Sequence, residues 1–323
     1  MSRRSAPPLP AAARRVLRGD RQALARLISQ LENRDPAALP SVQALYAHSG
    51  RAMVVGITGP LGVGKSSLVN LLLAHLRGEG KRVGIVAVDP SSPFSGGSIL
   101  GDRIRLDRPA GDDGVFIRSM AARGHAGGVA LATRETVRLL DAFGMDVILV
   151  ETVGSGQADV EIHDVASTSV VVVVPHLGDE VQSLKAGLFE IADVFSVNKA
   201  DLPGADSAAR YLSEMTHLVP GAGVWRPVVV QTSTVTPRGV PELWEAIRSH
   251  EAYLDSSGTR RARERQHLTD EILGLVRERV DAQLLTALER DPELKSLLDR
   301  VVAREVDPHS AAERLVAELR ASH

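Results

Sequence analysis

Gly59-Pro60-Leu61-Gly62-Val63-Gly64-Lys65-Ser66-Ser67 is the stretch that decides the fold. The apolar run Met53-Val54-Val55-Gly56-Ile57 comes just before it, and a helix-like segment, Leu68 to Leu76, follows. It is a complete G-x-x-x-x-G-K-[ST] phosphate loop in the strand–loop–helix setting that gives the motif its meaning. Binding a triphosphate needs backbone N–H groups aimed inward, so the chain must pass close to the oxygens; Gly59, Gly62 and Gly64 permit that approach. Val63 and Ser67 complete the cradle. On this reading Lys65 reaches the β- and γ-phosphates and Ser66 ligates Mg²⁺. The dipole of the helix that follows favours the negative charge.

Outward from the loop, strand-like and helix-like segments alternate from Met53 to His250. Strands are expected at 53–58, 82–89, 115–119, 146–151, 169–175, 194–198 and 227–232, and helices at 64–78, 128–143, 179–191, 206–217 and 240–250. Several strands are near-continuous Val/Ile runs, as in strands covered on both faces of a parallel sheet. The fold class is therefore α/β: a P-loop NTPase with a doubly wound, mostly parallel sheet and its site at the carboxyl ends of the strands.

The flanks read differently. Residues 1–19 are rich in Arg, Ala and Pro without an acid, a weak likeness to a mitochondrial transit peptide; the prolines of Pro7-Pro8-Leu9-Pro10 argue instead for a disordered tail. Apolar spacing from Arg15 to His48 predicts two short helices, so residues 20–50 form a helical extension before a nucleotide domain at 51–256. In residues 257–323, Leu268, Ile272, Leu275, Val276, Val280, Leu284 and Leu288 share one helical face, and Pro292 and Pro308 open two further helical segments. This helical arm either packs on its own subunit or dimerises, and its single long apolar stripe favours a homodimer.

Composition narrows the classes. The chain has 323 residues, 44% apolar and 3% aromatic, enough for a large core of Val, Leu, Ile and Ala. A formal net charge of −2 gives no electrostatic case for nucleic acid. The absence of cysteine excludes disulfides, Cys-ligated zinc and thiol catalysis, and fits a reducing, cytoplasmic setting. The longest apolar run, Val170 to Val174, is far too short to span a membrane.

Asn198-Lys199-Ala200-Asp201, at the end of the strand expected over 194–198, is the N-K-x-D arrangement that reads guanine. Asp201 accepts from the ring N–H and the exocyclic amino group. Adenine offers neither donor there, and a carboxylate left without its partners rejects it. Lys199 lies against the base and the phosphate loop, Asn198 ties the motif together, and Ser233, in Thr232-Ser233-Thr234, is placed to touch the base. GTP and GDP are thus the expected ligands. Asp89 and Glu151 each end a strand beside the phosphate loop, where carboxylates hold Mg²⁺ or its waters. Gly154 suits a loop whose amide approaches the γ-phosphate, so both segments have the character of switches.

The stretches Val88-Asp89-Pro90-Ser91-Ser92, Gly96-Gly97-Ser98-Ile99-Leu100-Gly101-Asp102-Arg103, Ile117-Arg118-Ser119-Met120-Ala121 and Val150-Glu151-Thr152-Val153-Gly154 together resemble the MeaB/ArgK family of GTPases. Gly178-Asp179-Glu180, Gln182, Lys185-Ala186-Gly187 and Asn198-Lys199-Ala200-Asp201 continue the likeness, which covers roughly residues 50–250. The resemblance implies a G domain of the SIMIBI type. It also implies a G-protein chaperone that gates adenosylcobalamin loading and protects or reactivates an acyl-CoA mutase, chiefly methylmalonyl-CoA mutase, with a cobalamin adenosyltransferase as a further partner. It adds Asp102 to Asp89, Glu151 and Ser66 around the metal, and makes 176–187 an additional switch. Lys185 there is a candidate for stabilising transition-state charge, beside Lys65, Asp89 and Glu151 in the catalytic set.

Three positions depart from the family pattern: Leu61 replaces a proline, His176 stands where a small residue is commoner, and Gln157 is offset from Gly154. Slow intrinsic hydrolysis stimulated by a partner is the consequence. In a eukaryote the same resemblance would place the chain in the mitochondrial matrix. Two competing readings are a nickel-insertion GTPase, which wants Cys or clustered His, and a small-molecule kinase or transport-linked ATPase, which sits poorly with Asn198-Lys199-Ala200-Asp201.

Overall fold

The computed structural model describes residues 8–90, 111–122, 128–152, 162–175, 186–217 and 224–321. The chain forms two compact units, Met1–Ala262 and Arg263–His323. The first opens with α1 (Ala11–Leu17), α2 (Arg21–Glu32) and α3 (Leu39–Tyr46). Then come β1 (Met53–Thr58), α4 (Lys65–Gly78), β2 (Val83–Pro90), β3 (Val115–Ala122), α5 (Gly128–Ala142) and β4 (Val147–Thr152). β5 (Thr168–Val173), α6 (Ala186–Glu190), β6 (Val194–Val197), α7 (Ala205–His217), β7 (Val228–Gln231) and α8 (Val240–Ser256) complete the alternation.

The seven strands form one sheet in the order β3-β2-β4-β1-β5-β6-β7, with every described pair parallel. Side chains alternate across it, as the two-residue strand period requires. Val55, Ile57, Ile85, Leu149, Val170 and Val172 pack under α4 and α8 with Leu68, Leu72, Leu76, Leu243 and Ile247. Val86, Val88, Ile148, Val150, Val171 and Val173 join the opposite layer with α2, α5 and α7. Leu72 is fully buried, so Leu72→Ala would cost about 2–5 kcal/mol through lost transfer energy and an unfilled cavity.

The amino-terminal expectation needs correcting. α1 lies inside the stretch expected to be a disordered tail, and its Ala13 and Val16 are fully buried. Pro10 occupies the N-cap, where a missing N–H costs nothing, and Ala11-Ala12-Ala13-Arg14-Arg15 is a strong helix former. A three-helix lead-in thus replaces the expected two. Asp20 starts α2 by accepting from the Ala23 N–H at 2.9 Å and from Arg15 Nε at 2.7 Å. Leu24, Leu27 and Ile28 then face the core.

Asp141 and Arg118 help fasten this lead-in to the sheet layer, beside Arg21 of α2, which donates to the Asp113 and Val115 carbonyls. Asp141, near the end of α5 and 8% exposed, accepts from the backbone N–H groups of Gly50, Arg51 (3.1 Å) and Ala52 (3.1 Å). Arg118 of β3 pairs with Glu32 and donates to Ser29 Oγ at 3.0 Å, both on α2.

The expected helix 179–191 is described only as α6, its first seven residues lying outside the described ones. α8 runs six residues past the expected end at 250, and Gly258, at φ +74°, separates it from α9 (Thr259–Arg290). The boundary between the units falls within α9. In the second unit α10 (Pro292–Val302) and α11 (Pro308–Ala321) each begin on proline, as the sequence predicts, after an aspartate cap. Asp291 accepts from the Glu293 N–H at 2.8 Å, and Asp307 from His309 and Ser310 at 3.0 Å. Ile272 and Val276 of α9 are 59% and 51% exposed, whereas Leu268, Leu275, Val280, Leu284 and Leu288 on the same stripe are half-buried.

Candidate guanine-nucleotide site

The strand order lines up the carboxyl ends of β2, β4, β1, β5, β6 and β7, and the candidate residues follow that line. β1 ends at Thr58 and the chain turns at once into the phosphate loop. Gly59 takes φ +139°, and a Cβ there would sit 2.2 Å from the Val172 carbonyl oxygen on β5, so only glycine lets the loop leave the sheet. Gly64 is the N-cap of α4 at φ +94° and offers no side-chain cap, which leaves the first-turn N–H groups for a ligand. Lys65 is 6% exposed, and its Nζ donates to the carbonyls of Gly59 (2.6 Å) and Pro60 (2.9 Å), holding the ammonium within the loop.

β4 brings the acid. In register, Glu151 pairs with Ile57 of β1 and Ala87 of β2, and it is 6% exposed. Ser66 Oγ donates to Glu151 Oε1 at 2.5 Å, so hydroxyl and carboxylate converge at the start of α4. Behind them Thr152 Oγ1 donates to Thr58 Oγ1 at 2.9 Å, tying the ends of β1 and β4 together. The backbone of Asp89 continues β2 one residue beyond the Val88–Thr152 pair. Its side chain lies outside the described residues, as do Asp102, Gly154, Gln157, His176, Gln182 and Lys185.

The Asn198-Lys199-Ala200-Asp201 segment is joined to the phosphate loop. Asn198 is fully buried; its Nδ2 donates to the Val63 carbonyl at 2.8 Å and its Oδ1 accepts from Thr232 Oγ1 at 3.1 Å. A Cβ on Gly64 would lie 2.6 Å from Asn198 Nδ2, so this glycine makes room for the strap as well as for the turn. Lys199 adopts φ +56°, which costs a non-glycine residue about 1 kcal/mol or more, and its Nζ donates to the Gly62 carbonyl at 2.8 Å.

Asp201 is exposed, and Ser233 Oγ donates to its Oδ1. That hydrogen bond, then the Asp201 backbone amide and the charges of Arg238 and Lys199, hold the carboxyl below its ordinary value of 3.8. Asp201 is therefore an anion ready to accept. Ser67 is exposed in the first turn of α4.

Sequence reasoning missed four participants: Thr58 and Thr152, Thr232 as the hydroxyl donor to Asn198, and Arg238, whose Nη2 donates to the Ala200 carbonyl at 2.5 Å. Threonine at a strand end is too common to stand out. Arg238 had one available signal, the Gly239 that follows it at φ +77°.

A parallel sheet with a phosphate loop at its centre and an N-K-x-D motif two strands away defines a P-loop GTPase. The comparisons give the particular family. The family model described as methylmalonyl Co-A mutase-associated GTPase MeaB matches residues 24–289, and the chain belongs to that family. A protein of Pyrococcus abyssi assigned as a GTPase is 44% identical over 308 residues, covering 94% of this chain and 95% of the relative. The mouse mitochondrial methylmalonic aciduria type A homolog is 32% identical over 273 residues, 83% of this chain and 66% of the relative. A crystal structure described as a LAO/AO transport system kinase superposes with a TM-score of 0.67 at 26% identity, over 98% of this chain and 100% of that one. Among the described residues no helix is long and apolar enough to cross a membrane.

Proposed function

We propose that this GTPase is a chaperone that couples GTP binding and slow hydrolysis to adenosylcobalamin loading, protection or reactivation of an acyl-CoA mutase, methylmalonyl-CoA mutase in the first instance. The observation that carries the proposal is the double strap of Asn198 and Lys199 onto the phosphate loop, within a chain of the MeaB family. A loop fastened in this way reads the base and the terminal phosphate as one unit, which suits a timing device.

Asn198, Lys199, Asp201 and Ser233 hold guanine; Gly59, Gly62, Val63, Gly64, Lys65, Ser66 and Ser67 hold the phosphates, and Gly154 is assigned to the γ-phosphate from the sequence alone. The ammonium of Lys65 offsets charge on the β- and γ-phosphates as the bond to the γ-phosphoryl group breaks. The oxygen pair of Ser66 and Glu151 is the kind of hard donor set Mg²⁺ takes, and Asp89 and Asp102 complete the acidic set. That ion, when bound, supplies further charge neutralisation on the phosphates. Lys185, in the segment 176–187, enters as the partner-controlled cation. The exposed Ile272 and Val276 of the α9 stripe support a homodimer, and a cytoplasmic setting suits the cysteine-free composition.

The test is phosphate release from GTP with and without methylmalonyl-CoA mutase. The expected result is stimulation by the mutase, lost in Lys185→Ala, with GTP bound far more tightly than ATP. A mutase that neither co-elutes with the nucleotide-bound protein nor changes the rate would remove the chaperone reading. Preference for ATP would favour a kinase instead.

A further inference from the structure

We infer that Arg238 is a positioning residue for guanine, aiming the Asp201 carboxylate by bracing the peptide that carries it. The inference rests on Asp201 reading the base. Asp201 follows Lys199, whose left-handed backbone is strained, so the two peptide planes between them need fixing from outside. Both are fixed through Ala200. Its N–H donates to the Thr232 carbonyl at 3.0 Å, and its carbonyl accepts from Arg238 Nη2 at 2.5 Å. The second bond sets the plane whose nitrogen belongs to Asp201, and with it the direction in which the carboxylate leaves the chain.

Arg238 is itself anchored. Ser233 and Arg238 exchange backbone hydrogen bonds of 3.2 and 3.3 Å across a closed loop, and the Thr236 N–H and hydroxyl both donate to Ser233 Oγ at 3.2 Å. Gly239 permits the closure: a Cβ there would lie 1.9 Å from the Gln231 carbonyl oxygen. One small loop therefore delivers the Ser233 hydroxyl to the Asp201 side chain and the Arg238 guanidinium to its backbone. The guanidinium charge also favours the ionised carboxylate.

Guanine offers Asp201 two donors, the ring N–H and the exocyclic amino group, whereas hypoxanthine offers only the first. A carboxylate aimed for both donors discriminates GDP from inosine diphosphate by about ten- to hundredfold. One that has lost its brace keeps a single contact. The experiment measures both affinities in the full chain, unaltered and as Arg238→Ala and Arg238→Lys, with the unfolding midpoint of each.

In Arg238→Ala the GDP to inosine diphosphate ratio falls to within about threefold of unity. Arg238→Lys, which keeps a cationic donor, recovers part of it. A ratio that stays at the unaltered value in folded Arg238→Ala overturns the inference, as does an equal loss for both nucleotides, which marks a merely structural role. A ratio near unity in the unaltered protein overturns guanine reading by Asp201 itself, a separate outcome.

Discussion

Replacing Asn198 with alanine tests whether the base site and the phosphate loop are mechanically one. Asn198 is fully buried and makes two side-chain hydrogen bonds. The Thr232 hydroxyl retains its contact with Ser196 Oγ at 2.8 Å, so losing its bond to Asn198 costs about 1 kcal/mol. The Val63 carbonyl loses the amide donor in a residue only 2% exposed, and an orphaned buried acceptor costs about 1–3 kcal/mol. The sum is about 2–4 kcal/mol, a shift on the order of 1 M in the urea midpoint. Trp225 and Trp244, the only tryptophans, both belong to the first unit, so intrinsic fluorescence reports its unfolding directly.

GDP affinity is the second readout. It should fall by at least about tenfold although Asn198→Ala touches no phosphate contact, because the Gly62–Gly64 segment then keeps only the Lys199 strap. An unchanged midpoint would refute the reading of the hydrogen bonds. A lowered midpoint with GDP affinity intact would refute the mechanical link while leaving the packing argument standing.

The same geometry yields three further predictions. Gly59→Ala drives a Cβ to 2.2 Å from the Val172 carbonyl and should lower stability by about 3 kcal/mol or more, read as a falling thermal midpoint; a variant as stable as its parent would contradict the close approach. Glu151→Gln should reduce Mg²⁺-dependent GTP hydrolysis at least about tenfold while leaving metal-free GDP binding nearly unchanged, and equal loss of both would remove the metal role. Because the folded Asp201 carboxyl titrates below 3.8, its ionised form is fully favoured above that pH and its contribution is lost only as the pH falls through the lower folded value. Ser233→Ala removes the largest cause of the depression, so GDP affinity measured from about pH 6 down to about pH 3 should begin to fall at a higher pH than in the parent; coincident curves would dismiss that hydrogen bond.

Much of the architecture was legible because burial on both faces leaves continuous Val/Ile runs, and Val83–Val88 or Val170–Val173 can be little else once Gly59–Ser67 fixes the direction of the chain. The phosphate loop and Asn198-Lys199-Ala200-Asp201 were legible for a related reason: both need particular residue types at fixed spacing. What escaped depends on pairs far apart in sequence. Nothing local marks Thr58 as the partner of Thr152, or Arg238 as the partner of the Ala200 carbonyl. α1 was hidden by its neighbours, since Pro7, Pro8 and Pro10 read as a break although the last of them sits where a helix tolerates proline.

The latch of Asp141 onto Gly50, Arg51 and Ala52 has a consequence for the order in which the protein can be made. Its two sides are 91 residues apart, so the first helices leave the ribosome well before the helix they pack against has been translated. At about 5–20 residues per second, Leu24, Leu27 and Ile28 wait roughly 5–20 s for their cover. During that interval the nascent chain carries an open apolar face. A gene trimmed to begin at Arg51 would not escape the problem: it would transfer the uncovered surface from the nascent chain to the finished protein.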